Sequence, residues 1–577
     1  MSRFVPKVSP QRFRQLVDPS LAADYRHAGW WGDVTLAQLV TRHADTRPDD
    51  PAYISERGVM SWRGYDEAST RVAAALAIAG IVDGQRLAIW LPDSATVHAA
   101  LLGAEKAGVT VVGIGARAGD RELQHLLVKT GASALVTLAT HRGRDTAELV
   151  SQLRASGLPI EHHLVLPLLE HEASGTILLN GTPLDPVLLE RTMRGRQLAE
   201  RAMGPDDLFM LNSTSGTTGM PKCVMHTQNR RMYFHKVAAE YGALTADDVL
   251  FGAVPAPFGF GLWTAHFTPT ILGAPTVIRQ HFSAEETLEA IERYRVTVMC
   301  CVSTQFIMML NSPEIERRDL TSLRVMFTGG EAVPFERARA FEAATGAKVL
   351  QFFGSNETGL FSGTTLDDSF EDRLRTAGRI RPEMQVRLFA GDHDVTQSGT
   401  GQPGGRGPAT CLGYLDDDAA NDQLFTPDGW MLMGDIVTVT DSGYLTVTGR
   451  TSDIIIRGGK NISAGQVEDE VATHPAVALA AAVAAPDEIF GERVCVYVEL
   501  RPGFDLDLAQ LTSHLSARGT SKEIYPEHLV VLKQLPRSSG GKVAKGALRL
   551  DVDKRLLGLA QHKRERTAGP VPSGTGL

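Results

Sequence analysis

From Ser61 onward, short apolar runs alternate with longer segments in which apolar residues recur at helical spacing. The runs Leu87–Leu91, Val109–Ile114 and Ala134–Leu138 read as strands, with helical Thr96–Ala107 and Arg121–Lys129 between them. The alternation returns as Leu323–Phe327, helical Phe335–Ala344 and Lys348–Phe353. Strands that are apolar at nearly every position are buried on both faces, so the pattern predicts parallel sheet covered by helices. Between Gly391 and Gly413 the chain turns to Gly, Pro, Asp, Ser and Thr, which predicts loops joining short strands. After Gly449-Arg450 the pattern changes to a strand at Ile454–Ile456, a glycine pair, a helix at Ala464–Thr473 and strands near Ala478–Ala485 and Val494–Leu500. The expected fold is α/β. A large N-terminal domain of stacked α/β sheets with a small β-rich subdomain fills 1–450, and a small α+β domain fills 451–561. A disordered tail, rich in Arg, Gly and Pro, follows at 562–577.

A chain of 577 residues is too long for one ordinary core, which agrees with two domains. Its 43% hydrophobic and 22% charged residues are those of a globular protein. The net charge is −9 and the basic residues are scattered, without a stripe interleaved with aromatics, so no nucleic-acid partner is expected. Met1–Gln15 lacks the apolar run of a signal peptide, and the longest apolar run, Ala476–Ala485, is too short to cross a bilayer. Five cysteines without CxxC pairing suit reduced thiols, and a cytoplasmic location is expected.

The strongest chemical signal is Ser213-Thr214-Ser215-Gly216-Thr217-Thr218-Gly219-Met220-Pro221-Lys222. Three consecutive hydroxyls, small glycines and a lysine supply the donors and cation that a polyphosphate requires. It is not a Walker A loop, because Lys222 is not preceded by Gly and is followed by Cys223.

This string resembles the phosphate loop of the adenylate-forming superfamily of acyl-CoA synthetases, peptide-synthetase adenylation domains and luciferases, and the resemblance runs over nearly the whole chain. Four further blocks follow in the family's order. Phe352-Phe353-Gly354-Ser355-Asn356-Glu357 is similar to the aromatic-Gly-x-Thr-Glu element, with Asn356 in place of Thr. Gly434-Asp435 resembles the Thr-Gly-Asp site, with Met433 in place of Thr; Gly449-Arg450-Thr451-Ser452-Asp453 and Gly458-Gly459-Lys460 resemble the hinge segment; and Pro536–Lys542 resembles the catalytic-lysine loop. The resemblance implies that Thr214, Ser215, Gly216, Thr217, Thr218, Gly219 and Lys222 hold the phosphates of ATP, joined by Gly330 and Asn356. It implies that Phe353 stacks on adenine beside Gly354, Asp435 accepts from the ribose and Arg450 reaches the nucleotide. Glu357 would hold Mg2+, and Gly458, Gly459 and Lys460 would border the pantetheine of coenzyme A. Lys542, Glu357 and Thr214 would be catalytic, and Ser452 would be the hinge of a mobile C-terminal domain.

The implied reaction is ATP-dependent ligation of a carboxylic acid to CoA through an acyl-adenylate. Two anions meet at the α-phosphorus, so cations and oriented donors are wanted, and no nucleophilic side chain is. Phe258, Gly259 and Phe260 lie where the resemblance places the acid, and with Trp263 and the Thr328-Gly329-Gly330 strand end they suggest an apolar pocket for a medium-sized aliphatic or alicyclic acid, with an aromatic acid second. The alternative is an aryl-acid-adenylating enzyme that loads a phosphopantetheinyl carrier protein, suggested by Tyr25-Arg26 to Trp30-Trp31 and by Arg457–Lys460. A homodimer is compatible with either. Gly113-Ile114-Gly115-Ala116-Arg117-Ala118 matches a dinucleotide fingerprint, but no acidic residue closes the next strand. His162, His163 and His171 lack metal-ligand spacing and are expected at the surface.

Overall fold

The computed structural model describes residues 17–81, 84–169, 175–213, 220–330, 333–450, 453–457, 460–487, 489–538 and 542–555, with backbone only at 450, 460 and 461. They form two compact units. The second comprises the described residues of Thr448–Ser538 and of 542–555, together with Gly434–Ile436.

Two mixed sheets build the first unit. One orders its strands Arg379–Ile380, Gly359–Gly363, Lys348–Ser355, Val325–Gly329, Val298–Cys300, Leu250–Gly252, Thr276–Ile278, Pro51–Ser55 and Gly58–Ser61. Its middle pairs are parallel, as the uniformly apolar strands predict, while hairpins close both edges antiparallel. The other sheet centres on Arg86–Ile89, Thr110–Gly113 and Leu208–Ser213, again parallel, with Cys223–Thr227 added antiparallel at its edge. Helices Trp62–Ile78 and Ala95–Ala107 cross so closely that a Cβ on Gly103 would stand 2.6 Å from that of Val72. Their alanine-rich faces make this approach possible. Short strands, Gln385–Ala390 and Thr400–Arg406 among them, make the smaller β-rich part.

In the second unit a long hairpin, Val477–Asp487 with Gly491–Leu500, carries helices Ala464–Ala472 and Leu508–Ala517 over a core of Val467, Val471, Val494, Val496, Leu511 and Leu515. Lys545 joins Asp453 (3.3 Å) and Glu468 (2.8 Å), and Arg549 also meets Asp453, tying the last described segment to Asp453 and to helix Ala464–Ala472.

No helix of the described residues is long and apolar enough to cross a membrane. The five cysteines are buried and none is joined in a disulfide. His163 departs from its expected surface position. It lies on the strand His162–Val165 with its ring facing inward, 2% exposed, its Nε2 2.9 Å from Thr137 Oγ1. Burial lowers its pKa to about 4. An adjacent His pair on a strand places one ring on each face, so the two share no environment. His171 lies outside the described residues.

Candidate active site

The strand Lys348–Ser355 runs parallel to Val325–Gly329, then turns through Asn356-Glu357-Thr358 into Gly359–Gly363. Ser355 pins the turn: its Oγ accepts from the N–H of Glu357 (3.2 Å) and of Thr358 (3.1 Å), and its own N–H donates to Thr358 Oγ1 (3.1 Å). Glycine is obligatory beside it, because a Cβ on Gly354 would lie 1.8 Å from the Gly359 carbonyl oxygen. Gly329, at φ +156°, is held equally tightly against the Phe352 carbonyl. The aromatic-Gly-x-x-Glu spacing therefore delivers a carboxylate at the tip of a rigid hairpin.

That carboxylate is linked to the phosphate-loop motif through a residue the sequence reading missed. Glu357 Oε1 accepts a 2.7 Å hydrogen bond from the Tyr414 hydroxyl, and the Lys222 ammonium lies 4.7 Å above the Tyr414 ring. The segment around Tyr414 is zipped between the two motifs: Cys411 N–H donates to the Glu357 carbonyl (2.6 Å), and Leu415 N–H to that of Cys223 (2.9 Å). Burial and the neighbouring carboxylate push the Tyr414 phenol far above its ordinary range, so it remains a protonated donor. Cys223 opens the buried strand Cys223–Thr227 opposite Ser213, where burial pushes its thiol up to about 11. Thr214, Ser215, Gly216, Thr217, Thr218 and Gly219 lie outside the described residues.

Asn356 turns inward to a buried polar cluster. Its Oδ1 lies 2.5 Å from Arg231 Nη2, 3.2 Å from His226 Nε2 and 3.3 Å from Asn212 Nδ2. Arg231 and His226 stand at the junction of Cys223–Thr227 with helix Gln228–Tyr241, a helix whose first four residues, Gln228, Asn229, Arg230 and Arg231, are all buried. His226 is held neutral, its pKa driven well down by burial and then by Arg231.

Beside this turn lies an aromatic cluster. Phe352 stacks on Phe327 (4.9 Å between ring centres) and is ringed by Phe234, Tyr241 and Trp263. Phe353, 6% exposed, meets Phe361 edge-on. Phe258 and Phe260 are half-buried at the start of the short helix Gly259–Leu262, and Gly259 between them faces open space. Trp263, expected to join them, is fully buried and backs the aromatic cluster instead. The preceding loop is fastened from behind, the N–H of Ala256 donating to buried Asp93 (3.2 Å).

Gly330 follows Gly329 with φ +76°. Asp435 is buried at the start of the strand Asp435–Val439. Arg450 and Lys460 lie in strands Leu445–Arg450 and Lys460–Ser463, and their side chains fall outside the description, as do Ser452, Gly458 and Gly459. In the second unit the Lys542 carbonyl accepts from Ser538 N–H (2.7 Å), closing the lysine loop. No group of three or more His, Cys, Asp and Glu among the described residues is built to hold a metal alone. A lone carboxylate is nevertheless the donor set that suits a Mg2+ shared with substrate phosphates.

Comparison with known proteins agrees with this geometry. Residues 40–415 match the AMP-binding enzyme family and residues 466–542 the AMP-binding enzyme C-terminal domain. The chain is 30% identical to a medium-chain fatty-acid–CoA ligase of Escherichia coli (strain K12), over 92% of this chain and 93% of the relative. It is 32% identical to a salicyl-AMP ligase / salicyl-S-ArCP synthetase of Mycobacterium tuberculosis, over 93% of this chain and 94% of the relative. Among solved structures, apo MbtA of Mycobacterium smegmatis is 32% identical, covers 92% of this chain and 98% of its own, and superposes with a TM-score of 0.65. The chain belongs to the adenylate-forming family of AMP-binding enzymes.

Proposed function

We propose that this protein is an AMP-forming carboxylic acid:CoA ligase. It joins a carboxylate to the α-phosphorus of ATP with release of pyrophosphate, then passes the acyl group from the adenylate to the thiol of CoA with release of AMP. The observation that carries the reading is the chain of contacts Lys222–Tyr414–Glu357, which couples the phosphate-loop lysine to the hairpin carboxylate inside an AMP-binding fold.

Glu357 is the residue that would hold Mg2+, which when bound offsets phosphate charge and draws electron density from the transferred group. Tyr414 orients Glu357, Lys222 adds a fixed cation, and Lys542 is assigned as the cation of the first half-reaction. Gly458, Gly459 and Lys460 are assigned to the CoA pantetheine, and Ser452 to the hinge. Phe258 and Phe260, apolar and half-buried around open Gly259, favour a medium-sized aliphatic or alicyclic acid.

Similarity to a salicyl-AMP ligase supports a second reading, in which a carrier protein's phosphopantetheine takes the acyl group. One assay separates them. Protein incubated with ATP, MgCl2, CoA and a panel of acids is expected to yield AMP, pyrophosphate and an acyl-CoA. ADP as the stoichiometric product overturns adenylation. Thioester formed only on a phosphopantetheinylated carrier overturns CoA as the acceptor.

A further inference from the structure

The adenylation reading leaves one buried cation without a task. Arg231 is enclosed in the first turn of helix Gln228–Tyr241, and among the described residues no carboxylate pairs with it. Burial lowers its pKa only to about 10, so it stays charged at neutral pH. The Glu357 carboxylate acts on it only through space, without a direct ion pair, and a buried charge so loosely compensated is costly, so its hydrogen bonds should reveal why it is tolerated.

Those bonds converge on one atom. Arg231 Nη2 lies 2.5 Å from Asn356 Oδ1, the atom that Asn212 Nδ2 and His226 Nε2 also approach. A guanidinium has donors and no acceptor, so the Asn356 atom facing it must be oxygen. The usual ambiguity of an amide's orientation is thereby removed. With Oδ1 turned inward to the Arg231 guanidinium and Asn212 Nδ2, and with His226 Nε2 beside both Oδ1 and Arg231 Nη2 (3.0 Å), Nδ2 points away from this cluster, and it donates to no group among the described residues.

We propose that Arg231, backed by His226 and Asn212, is a positioning residue that locks the Asn356 amide with its N–H donors toward the phosphate of the bound nucleotide. The inference rests on the adenylating reading and adds a residue to it. An amide that flips freely presents oxygen to the phosphate in one of its two orientations and repels it. A threonine hydroxyl, which the family's element carries here, rotates to donate without help. Withdrawal of electron density at Oδ1 by the guanidinium also polarises the Nδ2–H bonds and strengthens them as donors. Replacing Thr by Asn at position 356 thus calls for a fixed cation behind it, and Arg231 supplies one.

The test compares AMP with adenosine, which share base and ribose and differ by the phosphate, by titration calorimetry on the full chain. Arg231→Met, which keeps a long unbranched side chain, is expected to weaken AMP about tenfold, the worth of one charge-assisted hydrogen bond. Adenosine affinity should change less than about twofold. In an Asn356→Thr background, Arg231→Met should cost AMP less than about threefold, because the hydroxyl orients itself. Asn356→Asp keeps the pairing with Arg231 but exchanges donor for anion, and should weaken AMP at least about tenfold while sparing adenosine. Equal weakening of both ligands by Arg231→Met would make the arginine structural. An undiminished loss of AMP in the Thr background would make it a direct phosphate ligand. Either result overturns the proposal, and if Arg231→Met does not fold, wild-type AMP affinity in Asn356→Asp overturns it alone. Wild-type protein that neither binds AMP nor produces it rejects the adenylating reading itself, whereas wild-type binding with unchanged variants rejects only this inference.

Discussion

Helix Gln228–Tyr241 is buried along nearly its whole length, yet its two ends are enclosed by opposite chemistry. At the first turns, Gln228 accepts from Leu36 N–H, Asn229 bridges Gly32 and Asp206, Arg230 reaches Thr410 with Trp31 beneath it, and Arg231 holds Asn356. At the later turns, Phe234 and Tyr241 pack on Phe352, and His235 stacks on Phe267. The apolar end follows the rule that interiors are close-packed and tolerant of rearrangement only at a cost in volume. The polar end is bound by direction as well as volume: the side chains named above each make a specific hydrogen bond, although Gln228 Nε2, Arg230 Nε and Arg231 Nε find no partner among the described residues. One end therefore supplies stability and the other holds the Asn356–Glu357 hairpin in place.

The comparison is broken most directly at Phe352. Phe352→Ala removes the ring at the centre of the aromatic cluster and should destabilise the first unit by about 3–5 kcal/mol, read from thermal or denaturant unfolding. At the other end Glu357→Gln should do the reverse. The amide still accepts from the Tyr414 hydroxyl, so unfolding should barely move, while ATP–pyrophosphate exchange falls by roughly 10²–10³-fold on loss of the charge. A Glu357→Gln protein that loses stability but keeps its exchange rate would reverse the assignment of the two ends.

Two glycines of the segment proposed to line the acid pocket sharpen it further. A Cβ on buried Gly261 would stand 2.4 Å from the Pro255 carbonyl carbon and 2.5 Å from the Val254 oxygen, so Gly261→Ala must shift backbone, at about 1–3 kcal/mol. Gly259 has nothing within 4 Å, and Gly259→Ala should change stability by less than about 0.5 kcal/mol. Gly259→Leu should keep the fold and narrow the range of acids accepted, measured with the acid panel. An unchanged range would remove Gly259 from the acid pocket.

These differences mark what the chain discloses by its pattern. The parallel strands are legible because burial on both faces leaves them apolar at nearly every position, and Val109–Ile114 and Lys348–Phe353 lie where strands form. Gln228–Tyr241 is not legible by the same rule, because apart from exposed Lys236 and Glu240 the helix is enclosed, its buried residues include polar ones, and their partners are chosen one by one. Glu357 is found through its motif, since Gly354 and the hairpin fix the spacing. Tyr414 and Arg231 escape because they meet Glu357 and Asn356 from 57 and 125 residues away, a proximity that only the pairing of Cys223–Thr227 with the sheet creates. His163 was misplaced for a related reason: a polar residue inside a short strand is buried whenever one hydroxyl, here that of Thr137, answers it.

The smallest expected effect concerns protons, and it tests both ends of the helix at once. His226, beside Arg231, and His235, with Nδ1 3.3 Å from Thr268 Oγ1, are both held neutral with pKa values well below the ordinary histidine range. Burial is the first cause in each case and Arg231 the second. The sign follows from linkage. A depressed folded pKa means that the unfolded chain binds the extra proton first, so the stability these residues contribute is complete above about pH 6.5 and is lost as pH falls below it. Each can add at most about 1.4 kcal/mol per pH unit to that slope. His235→Gln and His226→Gln should each flatten the fall in melting temperature between about pH 6.5 and 5. Only His226→Gln should also weaken AMP relative to adenosine, because His226 alone touches the amide of Asn356. An acid slope unchanged in both variants would mean that neither ring is neutral by burial. AMP weakened equally by His235→Gln would mean that the polar and apolar ends of the helix are not separate devices.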